Sequence, residues 1–179
     1  EGYLWDPPAA KQAFRKASDI AHTAGGRVAL TLSDAFCVDR YRAEFLGLIR
    51  QGVVDIVFAN EHELRSLYET ADVEVAIAAL RDETRANPNF VGVVTRSEKG
   101  ALAIAHDETV EVPAFPVERV IDTTGAGDLF AAGFLHGLTT GRDARDCLRL
   151  GALAAAEIIS HVGARPEVSL KQLAAQNGL

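Results

Sequence analysis

Methionine is absent from all 179 positions, the first included, and a chain so composed is expected to begin inside a longer gene product. Cysteine is nearly absent too. Cys37 and Cys147 are too few for a disulfide framework and read as isolated structural thiols, which makes a cytoplasmic location the default expectation. Neither they nor the five histidines show compact metal-ligand spacing. No apolar run approaches membrane-spanning length, and Glu1-Gly-Tyr-Leu-Trp5 lacks the basic start and apolar stretch of a secretory leader. Clusters of lysine and arginine are missing as well. The 18 basic residues against 25 acidic ones leave a net charge of −7, which argues against a nonspecific nucleic-acid surface. No repeat period or low-complexity linker is visible.

What is present suits one substantial core: 48% of the residues are apolar, and 1–179 reads as a single domain. Gly2-Tyr-Leu-Trp5 reads as the end of a core strand, with Asp6-Pro-Pro8 turning into a helix that runs to about His22. Val28–Leu32, Val53–Ala59 and Phe90–Thr95 read as strands, and Ala101–Ala105 and Thr109–Val112 as shorter ones. Between and after them, helices are expected at 39–51, 61–68, 73–84, 142–160 and 170–177. This alternation predicts a layered α/β fold with a largely parallel central sheet. Pro113-Ala-Phe-Pro116 reads as a rigid approach to the segment that follows it.

That segment, Asp122-Thr-Thr-Gly-Ala-Gly-Asp128, is where chemistry concentrates. Leu129, Phe130, Gly133, Phe134 and Leu138 then recur near the spacing of one helical face, so Gly125, Ala126 and Gly127 fall at a helix mouth. The first amides there lack intrahelical partners, and the helix dipole favours an anion. Glycine at 125 and 127 lets a phosphate oxygen approach the backbone. Asp128 is placed to remove a proton from a hydroxyl while the amides neutralise a phosphoryl group. Plain helix capping by Asp128 is the competing reading.

With these residues the chain resembles the ribokinase/PfkB carbohydrate kinases, especially their adenosine kinase-like bacterial members. The resemblance implies a ribokinase-like three-layer α/β/α fold, the Gly125–Gly127 segment as anion hole, and Asp128 as catalytic base for transfer from ATP. Two further stretches agree. Asn60-Glu61-His62-Glu63 resembles the family's Asn-x-x-Glu element, which arranges magnesium, water and phosphate, with Glu63 meeting the metal through water. Val94–Gly100 resembles the segment under the nucleotide phosphates, implicating Thr95, Ser97 and Gly100, although Ser97 stands where family members often have glycine. Ile159–Pro166 resembles the adenine-side closing segment and implicates His161 and Gly163.

The same resemblance stops short of a whole enzyme, because no N-terminal part with its lid is recognisable. It implies ATP and Mg2+ as cofactors, a nucleoside or sugar as acceptor with adenosine favoured, and neither nucleic acid nor membrane as partner. The alternative is a nucleotide-binding or interaction protein that keeps the phosphate site without turnover and forms a homodimer through the uncovered surface. Several neighbouring residues keep two readings each. Asn60 and Glu63 can cap their own helix. Arg96 and Lys99 can add charge or face solvent, and His62 reads as a surface residue. Asp34, Phe36 and Cys37 follow a strand end and are either substrate-side or packing residues. Asp122 either supports the turn or merely caps or faces solvent.

Overall fold

The computed structural model describes all of Glu1–Leu179. The chain forms two compact units, one comprising Glu1–Val94 and Ile104–Thr109, the other Thr95–Ala103 and Val110–Leu179.

In the first unit α1 (Pro8–Thr23) begins with proline at its first position, where the missing amide would have no partner anyway. β1 (Ala29–Thr31) leads into α2 (Ala35–Arg50), and β2 (Ile56–Asn60) into α3 (Glu61–Leu67) and α4 (Val73–Ala86). β1 and β2 pair in parallel with Leu30 opposite Val57, and β2 is buried along nearly its whole length, as a strand covered on both faces should be. The core gathers Trp5, Phe45, Leu48, Ile56, Leu64, Leu80 and Phe90, all essentially without exposure.

β3 (Val91–Thr95), β4 (Ala101–Ala105) and β5 (Glu108–Val112) complete a five-stranded sheet in the order β1-β2-β3-β4-β5. The β3–β4 and β4–β5 links are turns, far shorter than the dozen residues a parallel crossover needs, so these strands meet as antiparallel hairpins. The three-layer α/β/α arrangement is as expected, and the sheet is mixed.

The second unit is dominated by α5 (Ala126–Thr139) against α6 (Ala144–Ile158), followed by α7 (Leu170–Gln176). A methyl group at Gly133 would lie 2.5 Å from the Leu150 carbonyl oxygen, and one at Gly151 would lie 2.7 Å from the Phe130 carbonyl oxygen. The two helices thus touch backbone to backbone. Phe130, Phe134, Cys147, Leu148 and Leu153 fill the space beside this contact. Both cysteines are buried free thiols. No helix is long and apolar enough to cross a membrane.

Two local expectations are corrected. Gly2–Trp5 is a 3₁₀ turn: the Gly2 amide donates to Ser33 Oγ at 2.7 Å, and a Cβ on Gly2 would strike the Leu32 carbonyl oxygen, so the segment packs end-on with Trp5 buried. α2 starts four residues earlier than hydrophobic spacing indicates, because Asp34 caps it by accepting the Cys37 amide at 2.6 Å.

Candidate functional site

α5 opens without a side-chain cap. Its N-cap is Gly125 in the left-handed conformation (φ 80°, ψ 0°), a backbone state that costs an L-residue roughly 1–2 kcal/mol. Asp122 builds the turn before it. One carboxylate oxygen accepts the Thr124 amide at 2.9 Å and the other the Gly163 amide at 3.0 Å. The Thr124 side chain and amide, with the Gly163 amide, hold its carboxyl below the usual range. Asp122 therefore supports the turn. The Ala126 amide is used by the Thr123 carbonyl at 3.2 Å, which leaves Gly127 and Asp128 to present the first-turn amides of α5. A methyl group on Gly127 would meet nothing within 4 Å. Asp128, third in the helix, is exposed. Open space, first-turn amides and a carboxylate coincide there.

The Val94–Gly100 stretch forms the β3–β4 turn. The Arg96 amide donates to the Gly100 carbonyl at 2.8 Å and the Gly100 amide to the Ser97 carbonyl at 3.1 Å. Ser97 is exposed and holds φ at 52°, so the residue standing in for glycine adopts the conformation glycine prefers. Thr95 is half-buried beside it. Gly100 has a packing reason of its own: a Cβ there would sit 2.0 Å from the Val112 carbonyl oxygen. Arg96 is no loose surface charge, since it donates to Glu111 at 2.6 Å and is 15% exposed.

Asn60 and Glu63, in the first unit, face each other in a reciprocal capping box. The Glu63 amide donates to Asn60 Oδ1 at 2.9 Å, while the Asn60 amide donates to Glu63 Oε2 at 3.0 Å and Asn60 Nδ2 to Oε1 at 2.7 Å. Burial pushes the Glu63 carboxyl up, the Asn60 amide opposes this, and the Asp34 carboxylate adds to the rise. No group of three or more His, Cys, Asp or Glu gathers anywhere in the chain. One buried carboxylate suits magnesium that arrives on a polyphosphate and keeps its waters, and does not suit an ion caged by protein. His62 bonds Arg65 on the surface.

Asp34, besides capping α2, is held below the usual carboxylate range by the Tyr3 hydroxyl and then by the Cys37 amide; Tyr3 in turn is pushed up to about 12. Cys37 is fully buried packing, whereas Phe36 is 78% exposed.

The Ile159–Pro166 segment returns to the turn. The Ile121 amide donates to the Ile159 carbonyl at 2.8 Å, and Gly163, at φ 107°, donates to Asp122. The second unit thus brings Gly125–Asp128 together with Gly163 through Asp122. His161 bonds Glu157 of α6 at 3.2 Å. A cavity of about 430 Å³ that sequence reasoning missed is lined by Val112–Pro116, Arg145 and Arg149. Its signal was Pro113-Ala-Phe-Pro116, an apolar stretch too stiff to collapse.

Residues 1–170 match the model of the pfkB family of carbohydrate kinases. A probable sugar kinase from Rhizobium etli CFN 42 is similar at 50% identity and a TM-score of 0.94 over 99% of this chain and 52% of its own. The adenosine kinase from Sinorhizobium meliloti is 52% identical, with a TM-score of 0.92, over 98% of this chain and 52% of its own. A cytidine kinase from Thermococcus kodakarensis is 38% identical over 130 residues, 69% of this chain and 45% of that protein. The chain spans about half the length of these relatives.

Proposed function

This chain belongs to the pfkB family of carbohydrate kinases, and we propose that the whole protein transfers the γ-phosphate of ATP to a primary hydroxyl of a nucleoside or sugar, with adenosine as the favoured acceptor. The observation that carries this reading is the mouth of α5: a left-handed Gly125, no side-chain cap, and an exposed Asp128 beside first-turn amides. In the proposed reaction Asp128 accepts the proton of the acceptor hydroxyl, whose oxygen bonds to the γ-phosphorus as ADP leaves. The Gly125–Gly127 turn and the first-turn amides take up the charge that develops on the transferring group. Thr95 and Ser97 offer hydroxyls to the nucleotide phosphates. Magnesium, when bound, neutralises phosphate charge, and Glu63 would hold it through water with Asn60 fixing the carboxylate.

For the adenine we propose the Ile159–Pro166 closing segment, with His161 and Gly163 lending backbone and packing contacts. Gly163 also braces the turn through Asp122, and His161 is held by Glu157 of α6. Adenosine is favoured because the 52% identical structure from Sinorhizobium meliloti is an adenosine kinase.

The test is acceptor-dependent ADP formation by the whole protein with magnesium and ATP, offering adenosine, ribose, fructose and 2-keto-3-deoxygluconate. One acceptor should turn over selectively, and Asp128→Asn should lower kcat by about 10²- to 10⁴-fold. An Asp128→Asn protein within tenfold of the parent would remove Asp128 as base. ATP binding with no turnover of any acceptor would instead support a phosphate-binding protein without catalysis.

A further inference from the structure

We infer that Glu157 is a positioning residue for the phosphate-facing turn: from α6 it ties down the loop 161–168, which in turn braces Asp122 and Gly125. The inference rests on the reading of the α5 mouth as the phosphate site.

The loop between α6 and α7 carries no regular structure and most of it is exposed, so specific bonds must hold it. A single atom provides three of them. Glu157 Oε1 accepts the Glu167 amide at 2.8 Å, the Val168 amide at 3.3 Å and His161 Nε2 at 3.2 Å, which pins both ends of the loop to the same point on α6. The middle of the loop meets the turn. Gly163 donates to Asp122, the residue that also binds the Thr124 amide, and Ala164 lies where a methyl group on Gly125 would come within 3.1 Å of its Cβ. Chain connectivity and contact therefore run from Glu157 through the loop to the N-cap of α5.

Helix packing alone gives no reason for this carboxylate. Glu157 follows Ala154-Ala-Ala156, its side chain is 6% exposed, and Oε2 is buried without a partner. Burying a carboxylate is unfavourable unless donors compensate it, and a methionine would fill the same volume without that cost. The compensating donors all belong to the loop. Its order is what the residue secures.

His161 strengthens the tie in one protonation state. Its Nε2 faces Glu157, and its Nδ1 faces the Val162 carbonyl at 3.5 Å and Glu167 Oε1 at 3.8 Å. Only the imidazolium donates from both nitrogens. The charged groups acting on it are Glu157 on α6, Glu167 on the loop and Asp122 on the turn, all anionic.

The experiment uses the whole protein and three variants, Glu157→Met, Glu157→Gln and Asp128→Asn. A displacement of the turn by about 1 Å costs on the order of 10²-fold in rate, so Glu157→Met should lower kcat by about 10- to 100-fold while the acceptor KM stays within about threefold. Glu157→Gln keeps an oxygen for the loop amides and should recover to within about fivefold of the parent. Hydrogen exchange should rise at least about tenfold at the bonded amides of Thr124, Ala126 and Gly163 in Glu157→Met, with the amides of Ala152–Ala154 unchanged. A kcat within twofold of the parent, or a rise in exchange spread evenly over α5 and α6, would overturn the inference. If Asp128→Asn keeps its activity, the kinase reading of the turn fails, and the exchange pattern alone decides the role of Glu157. Should Glu157→Met not fold, His161→Gln probes the same tie from the loop. The parent should lose kcat as pH rises through the raised His161 value and His161→Gln should abolish that decline, whereas a profile unchanged between the two would overturn the tie.

Discussion

Gly125→Ala separates the electrostatic role of the turn from its contribution to stability. The residue sits at φ 80°, where an L-side chain costs roughly 1–2 kcal/mol, and alanine recovers about 0.4–1 kcal/mol by restricting the unfolded chain. The added methyl also meets Ala164 Cβ at 3.1 Å and Cα at 3.3 Å, contacts that the exposed loop can relieve by moving a few tenths of an ångström. A net loss of about 1 kcal/mol follows, or a few degrees in Tm. The matched control is Gly141→Ala, at φ 76° with nothing within 4 Å of the new methyl group, which should lose stability to a similar extent. The two should part in turnover. Movement at Gly125 shifts the Thr124–Asp128 amides, so kcat should fall by about 10- to 100-fold, whereas Gly141→Ala should keep the parent value. Thermal melts and initial rates of ADP formation on the same preparations decide it. Equal kcat in both variants would refute the argument that this turn holds the transferring group.

Two further outcomes follow from the surroundings of the site. Asn60→Ala removes the side-chain half of the capping box and the Nδ2 bond to Glu63 while the backbone half stays, and should cost about 0.5–2 kcal/mol by denaturant unfolding; a change below about 0.3 kcal/mol would show that the Asn60 side chain contributes nothing to the cap. His161 titrates above its ordinary 6.5, because the Val162 carbonyl, the Glu157 bond and the Glu167 and Glu157 charges outweigh the burial that opposes protonation. Its stabilising contribution is complete below pH 6.5 and is lost as pH rises through the raised value. The difference in Tm between parent and His161→Gln should therefore shrink on raising pH, and a growing difference would reverse the assignment.

Much of this was legible in sequence because the signals are local. The Gly125–Asp128 helix mouth follows from glycine preceding an apolar helical period, and β4 falls on Ala101–Ala105 as its apolar run indicates. The spacing of Asn60 and Glu63 announces a capping box and a ligand-facing pair with the same two letters, so only coordinates show that the box is formed. What could not be read depends on partners distant in sequence. Ser33 and Leu32 decide that Gly2–Trp5 turns instead of extending. Glu157 gave no signal at all, since a glutamate in an alanine-rich helix looks like solvent-facing surface until its acceptor is seen to hold two amides and an imidazole.

The contact of α5 with α6 through Gly133 and Gly151 leaves no layer of side chains between the two backbones. Helices ordinarily accommodate motion by letting side chains slide or change rotamer at their interface, and here there is little to slide. The Gly125–Asp128 end of α5 and the wall that Arg145 and Arg149 give the cavity are fixed to one stiff pair. If the proposed kinase reading holds, any closure on nucleotide must hinge on the loops around this pair, and a probe placed on both helices should report one separation with and without ATP.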